Sequence, residues 1–298
     1  MKTEKSILIA FILNLSLSIF ELIGGIFTGS TAIISDSVHD MGDATSIGIS
    51  YFLEKKSKGR PNAQYTYGYA RYSVMGSLIT TLILLLGSAI AIFNAIYRII
   101  FPSDINYDGM ILFAIIGVCV NFCAAFFTRN GHTLNQKAVN LHMFEDLLGW
   151  ITVLIGAVIM RFTHITILDP LMSVGVALFI IVFALKNLKK ALDILLEKTP
   201  DNIDIGKIRE RVMEVEGVLD VHHIHVRSID GECNCATMHI VTDGEADKTK
   251  EAVRDKLHSL GISHTTLELE ASYENCHQKN CFIELKSAHR HHHHHRHS

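Results

Sequence analysis

Apolar residues dominate the first two thirds of the chain and thin out after Leu196. Six apolar stretches stand out, at 6–27, 33–53, 73–97, 110–127, 138–160 and 167–188. A helix needs about 20 residues to cross the hydrocarbon of a bilayer, so the pattern predicts an α-helical membrane protein with six transmembrane helices. The second and fifth stretches are the least hydrophobic because acidic residues interrupt them. Beyond Lys198-Thr199-Pro200 the pattern becomes that of a small α+β module. It reads as a helix at 203–215, a strand at 218–227, a turn at Asp230-Gly231, a strand at 236–241, a helix at 246–260 and a strand at 265–270. The predicted domains are 1–198 in the membrane, a soluble domain at 199–285 and a His-rich tail at 286–298. So small a module has little core of its own and would gain from pairing with a copy of itself.

Composition and charge orient this frame. The hydrophobic fraction is 49% over 298 residues, with mean hydropathy +0.28. Short cytoplasmic loops are enriched in Lys and Arg. Lys2, Lys5, Lys55, Lys56, Lys58, Arg60, Arg71, Arg129 and Lys137 fall on one side of a six-span topology, and the other side has only Arg98 and Arg161. Both termini are expected in the cytoplasm. The first stretch is too long for a cleavable signal peptide, and Gly24-Gly25-Ile26-Phe27-Thr28 lacks a small-x-small cleavage site. A net charge of −3 with no basic, aromatic-interleaved patch argues against a nucleic-acid partner.

The acidic interruptions carry the chemistry. Asp36, His39, Asp40 and Asp43 fall within one 100° stripe of a helix, as do His142, Glu145 and Asp146. Such a stripe cannot face lipid, and ionisable groups at bilayer depth mark transport or proton paths. One His–Asp pair four residues apart is an ordinary structural hydrogen bond. Two copies, His39/Asp43 and His142/Asp146, offer two nitrogens and two oxygens, a set that suits a tetrahedral zinc-like ion.

The soluble module is rich in further ligands. Strand alternation places His223 and His225 on one face and His222 on the other. His239 lies in the second strand, and His264, Glu268 and Glu270 lie in or beside the third. Cys276 and Cys281, flanking His277, resemble a half-site, and Cys233-x-Cys235 is a weaker candidate. Cys119 and Cys123, one turn apart in the fourth stretch, read as buried thiols packed against a neighbouring helix.

The ordered set of motifs resembles the cation diffusion facilitators over nearly the whole chain. Asp36-Ser37-Val38-His39-Asp40-Met41-Gly42-Asp43 is similar to that family's D-x-x-H-x-x-x-D, and His142 to Asp146 to its H-x-x-x-D. Tyr67-Gly68-Tyr69-Ala70-Arg71 is similar to its Y-G-Y-x-R block, and Asp169-Pro170 to the opening of its sixth span. Gly217-Val218, Val221-His222, His225-Val226, Met238-His239 and Leu267 to Glu270 resemble its C-terminal module. The resemblance implies a homodimeric six-span transporter of a bacterial inner membrane, not an enzyme. Its cytoplasmic domain would be an αββαβ, ferredoxin-like fold. The transporter would move Zn2+ or a related divalent ion out of the cytosol in exchange for protons, with no organic cofactor. Carried over by position, the transport site is His39, Asp43, His142 and Asp146; the cytoplasmic site is His222, His239, His264 and Glu270, with Cys276 and Cys281 as a terminal pair. Zn2+ would then also be a regulatory ligand of that domain.

Three departures matter. A loop site present in some members would fall on Asn62, Tyr65 and Tyr69, so it is expected to be missing. Ser73 replaces the usual acidic residue after Y-G-Y-x-R, and Arg227 the usual Trp after H-V. His289 to His297 is set aside as a native metal-gathering segment or an expression remnant. A membrane zinc hydrolase would need a paired-His motif such as H-E-x-x-H, which neither stripe has. A membrane-anchored metal sensor is the competing class, predicting tail binding without flux.

Overall fold

The computed structural model describes residues 3–28, 31–101, 107–163 and 168–273, and within these omits the side chains of 3–4, 24–28, 31–39, 98, 107–110, 160, 168–170, 172–173 and 176. The described residues form two compact units, 1–198 together with 228–233, and 199–227 together with the chain from 234 onward.

The first unit contains six long helices: α1 (Thr3–Thr28), α2 (Thr31–Ser57), α3 (Arg71–Ile100), α4 (Tyr107–Thr128), α5 (Leu134–Thr163) and α6 (Leu168–Leu195). By length and composition, Lys5–Ile23, Arg71–Tyr97, Ile111–Thr128 and Leu134–Thr163 are apolar enough to cross a membrane. The acidic stripe keeps α2 out of that set. Large apolar side chains point outward, among them Phe52, Leu86, Phe93 and Leu112, which a bilayer accommodates and water does not. Cys119 and Cys123 are also exposed on α4, not buried against a neighbouring helix as two thiols one turn apart in an apolar stretch predict.

Inside, small and polar residues let the helices approach. Ile7, Ala10, Ile47, Ala124, Ala125, Val139, Met143 and Leu147 form one core among α1, α2, α4 and α5. Asn187 of α6 donates to Ser77 and Thr81 of α3, an interhelical bond type worth about 0.6 kcal/mol each in lipid. Glu54, near the end of α2, is fully buried and accepts from Ser73 at the start of α3 and from Thr133 and Asn135 at the start of α5. Two helix N-termini thereby converge on one carboxylate. Between α2 and α3, Asn62 closes a turn through the Gln64 and Tyr65 amides and donates to the Tyr69 hydroxyl. Tyr65, Tyr69 and Tyr72 stack beside it.

The second unit contains α7 (Ile205–Met213), β1 (Val218–Ser228), β2 (Asn234–Thr242), α8 (Ala246–Ser259) and β3 (His264–Glu270). Asp204 caps α7 by accepting from the Gly206 and Lys207 amides. The sheet order is β1-β2-β3, with β2 and β3 parallel and His239 opposite Glu268. Ile208, Val212, Val226, Met238, Ile240, Val253 and Leu257 fill the core. His223 has φ +54, a left-handed value that interrupts the pleat. Strict alternation therefore fails in β1: the His222 and His223 rings both reach His239, with centroids 5.5 and 4.7 Å away.

Candidate metal centres

Opposed helices build the first centre. Helical spacing puts His142, Glu145 and Asp146 on one face of α5, and Asp43 meets them from α2. His142 Nε2 lies 3.7 Å from Asp43 Oδ1 and 4.0 Å from Asp146 Oδ2, and His142 Nδ1 lies 3.9 Å from Glu145 Oε2. Ligand atoms of Asp43, His142 and Asp146 all fall within 4.8 Å of one another. Tetrahedral ligands about 2.1 Å from an ion stand about 3.4 Å apart, so His142 Nε2 already stands within about 0.3 to 0.6 Å of that spacing from each carboxylate. His142 is 2% exposed and, among the described residues, neither ring nitrogen has a hydrogen-bond partner. Buried polar atoms are nearly always bonded, which makes this imidazole a ligand in waiting. Outer contacts hold the carboxylates: Asn14 of α1 donates to Asp146 Oδ2 at 3.2 Å, and Ser88 of α3 donates to Glu145 Oε1 at 2.8 Å. His39 is in α2 one turn before Asp43, and its side chain lies outside the described residues.

The second centre sits on the sheet. His222, His239 and Glu270 bring ligand atoms within 4.8 Å of one another. His222 Nε2 is 3.3 Å from Glu270 Oε2, His239 Nδ1 is 2.5 Å from Glu270 Oε1, and His239 Nε2 is 3.2 Å from Glu268 Oε2. Asp220 Oδ2 lies 3.5 Å from His222 Nδ1. Burial, with the His223 and His239 imidazoles beside it, holds His225 below the usual histidine pKa and favours the neutral ring that can ligate. The exposed His264 stands opposite Cys235, six residues along β3 from Glu270, and does not join the triad. Cys276 and Cys281 lie outside the described residues.

Comparison with known proteins gives both units a place. Residues 7–196 match the cation efflux transmembrane domain, and residues 200–272 match the cytoplasmic domain of cation efflux proteins. A Bacillus velezensis protein named cadmium, cobalt and zinc/H(+)-K(+) antiporter is 31% identical over 281 residues, covering 91% of this chain and 90% of that one. The zinc transporter ZitB of Pectobacterium atrosepticum is 29% identical over 293 residues, 96% of this chain and 91% of its own. The metal cation efflux system protein CzcD of Cupriavidus metallidurans is 30% identical over 274 residues, 90% and 86% of the two chains.

This chain belongs to the cation efflux family, the cation diffusion facilitators. A cation efflux protein is an integral membrane transporter with an appended cytoplasmic domain. In this cation efflux protein the helical triad falls within the matched transmembrane domain and the sheet triad within the matched cytoplasmic one. Sequence reasoning missed Asn14 and Ser88 as neighbours of the first triad. Asn14 is a lone amide in an apolar stretch, a signal in itself at bilayer depth; Ser88 carries none, since small hydroxyls pack routinely between membrane helices.

Proposed function

We propose that this protein is a secondary active transporter that exports divalent metal cations, Zn2+ foremost, from the cytosol in exchange for protons. The observation that carries the reading is His142, buried between Asp43 and Asp146 inside an apolar helical unit, with neither nitrogen hydrogen-bonded among the described residues. His39 supplies the fourth ligand, one helical turn from Asp43. The names of the relatives support the cargo and the counter-ion, since one is a zinc transporter and another an antiporter that includes H+. An imidazole must be neutral to bind metal, so loading the site displaces whatever protons the empty site holds. Alternating access then returns protons as the metal leaves.

In this reading α1 to α6 are six spans with both termini in the cytoplasm of a bacterial inner membrane, and residues 199–285 form a ferredoxin-like dimerisation domain. Zn2+ at His222, His239 and Glu270 regulates transport. The deciding experiment is metal uptake into liposomes containing the purified full chain, with an imposed pH gradient and an internal pH dye. Export driven by acid on the receiving side, with protons moving against the metal, is the expected result. Tail binding without flux would identify a membrane-anchored metal sensor, and flux indifferent to the gradient would leave facilitated diffusion.

A further inference from the structure

Asn14 is 4% exposed, and its Nδ2 crosses from α1 to Asp146 Oδ2 on α5 at 3.2 Å. Its side-chain oxygen is buried with no hydrogen-bond partner among the described residues. Asn121 of α4 also buries an unpartnered amide oxygen, but its Nδ2 donates to the Gly117 carbonyl of its own helix. Asn14 differs in being tied to a ligand of the transport site. A planar amide carries donor and acceptor on one group, so fixing the nitrogen on Asp146 also fixes where the oxygen stands.

Chemistry gives that oxygen a use. Zn2+ is content with four ligands of mixed nitrogen and oxygen, and Asp43, His142 and Asp146 with His39 supply four. Harder ions such as Mn2+ favour six ligands, with carboxylate, carbonyl and water oxygens preferred. We propose that Asn14 is a specificity-determining residue of the transport site, holding Asp146 through its amide nitrogen and offering its carbonyl oxygen to ions that take more than four ligands. This rests on the reading of Asp43, His142 and Asp146 as that site. The first helix thereby joins the second and fifth in choosing the ion.

The test uses the full-length protein in liposomes and reads the Mn2+ concentration that halves Zn2+ uptake, divided by the KM for Zn2+. Asn14→Leu removes donor and acceptor at similar volume, and the ratio is expected to rise about tenfold, within the range that neighbours of metal ligands command. Asn14→Asp restores an oxygen and adds charge, so its ratio is expected to fall below that of the wild type; this variant carries the test alone if Asn14→Leu does not fold. Equal weakening of both ions, an unchanged ratio in Asn14→Asp, or a wild type whose Zn2+ uptake Mn2+ never inhibits would overturn the proposal. Asp146→Ala separates the two levels. If it transports Zn2+ like the wild type, the transport site itself is misassigned; if it loses Zn2+ flux while the Asn14 ratios stay fixed, only the role of Asn14 fails.

Discussion

The two candidate metal triads of this protein use similar residues in opposite settings. On the helices, one buried imidazole faces two carboxylates at 3.7 and 4.0 Å, too far for hydrogen bonds. Those carboxylates are steadied from outside, Asp146 directly by Asn14. On the sheet, two half-buried imidazoles already meet Glu270, and His239 meets Glu268 as well, at 2.5 to 3.3 Å. In the helical triad both His142 nitrogens lack a hydrogen-bond partner among the described residues, so a cation completes that imidazole. On the sheet, His239 is already paired with Glu270 and Glu268, so a cation must displace contacts that exist there, while both His222 ring nitrogens are as short of hydrogen-bond partners among the described residues as those of His142. A site that must load and release in every cycle suits the first arrangement, and one that biases a domain suits the second.

The largest effect expected from this contrast is at the helical triad. Asp43→Ala or Asp146→Ala should reduce metal flux in liposomes at least about 100-fold, at the upper end of what metal-site neighbours command, with the protein still folded by gel filtration. Near-normal flux in either would remove the distinction between the sites. The next effect is structural. Glu54→Leu strands the Ser73, Thr133 and Asn135 donors, each costing about 1–3 kcal/mol when buried without a partner. Thermal unfolding in detergent should therefore occur at a clearly lower temperature, whereas Glu54→Gln, which keeps an acceptor oxygen, should lose less.

Much of this was legible in the chain because periodicity and chemistry coincide. Acidic residues inside apolar stretches pointed to Asp43, His142 and Asp146, and a single helical repeat then fixes their shared face. The order α7-β1-β2-α8-β3 was legible from alternation and turn residues. The arrangement of His222, His223 and His225 was not, because a left-handed φ at His223 is a local backbone choice that alternation cannot express. Asn14 escaped for a different reason: its partner is 132 residues away, and only the packing of α1 near α5 brings the two together.

The sheet triad is predicted to be the milder lever. His239→Ala should lower the number of metal ions bound per chain and raise the concentration giving half-maximal flux several-fold, with transport still present, since a ligand shifts an equilibrium only by its differential affinity. Metal counting by mass spectrometry, paired with flux curves, checks this. Unchanged stoichiometry would make the two triads alike only in appearance. Loss of all flux would make the sheet site part of the transport path.

The proton side of the comparison supplies a finer test at His39. A carboxylate can still ligate metal, but it titrates near 4 where an imidazole titrates near 6.5. In His39→Asp the metal therefore competes with protons only at lower pH, so the acid limb of the flux–pH profile should move down by about one to two pH units, with part of the metal affinity kept. Flux measured from pH 5 to 8 at metal well below saturation checks the direction. An unmoved acid limb would place the exchanged proton on another group.

The smallest effect expected is at Asp40, which sits three residues before Asp43 on α2, half-buried, and outside the matched D-x-x-H-x-x-x-D ligand positions. Asp40→Asn preserves shape and removes one negative charge from the neighbourhood of the ion. If Asp40 acts only through that charge, Zn2+ KM should rise by less than about tenfold, one step of 1.4 kcal/mol, and the maximal rate should hold. Salt distinguishes the two roles further: screening weakens a distant charge but not an inner ligand, so the difference from wild type should shrink at high ionic strength. A loss as large as that of Asp43→Ala, insensitive to salt, would make Asp40 the carboxylate that α2 contributes to the ion.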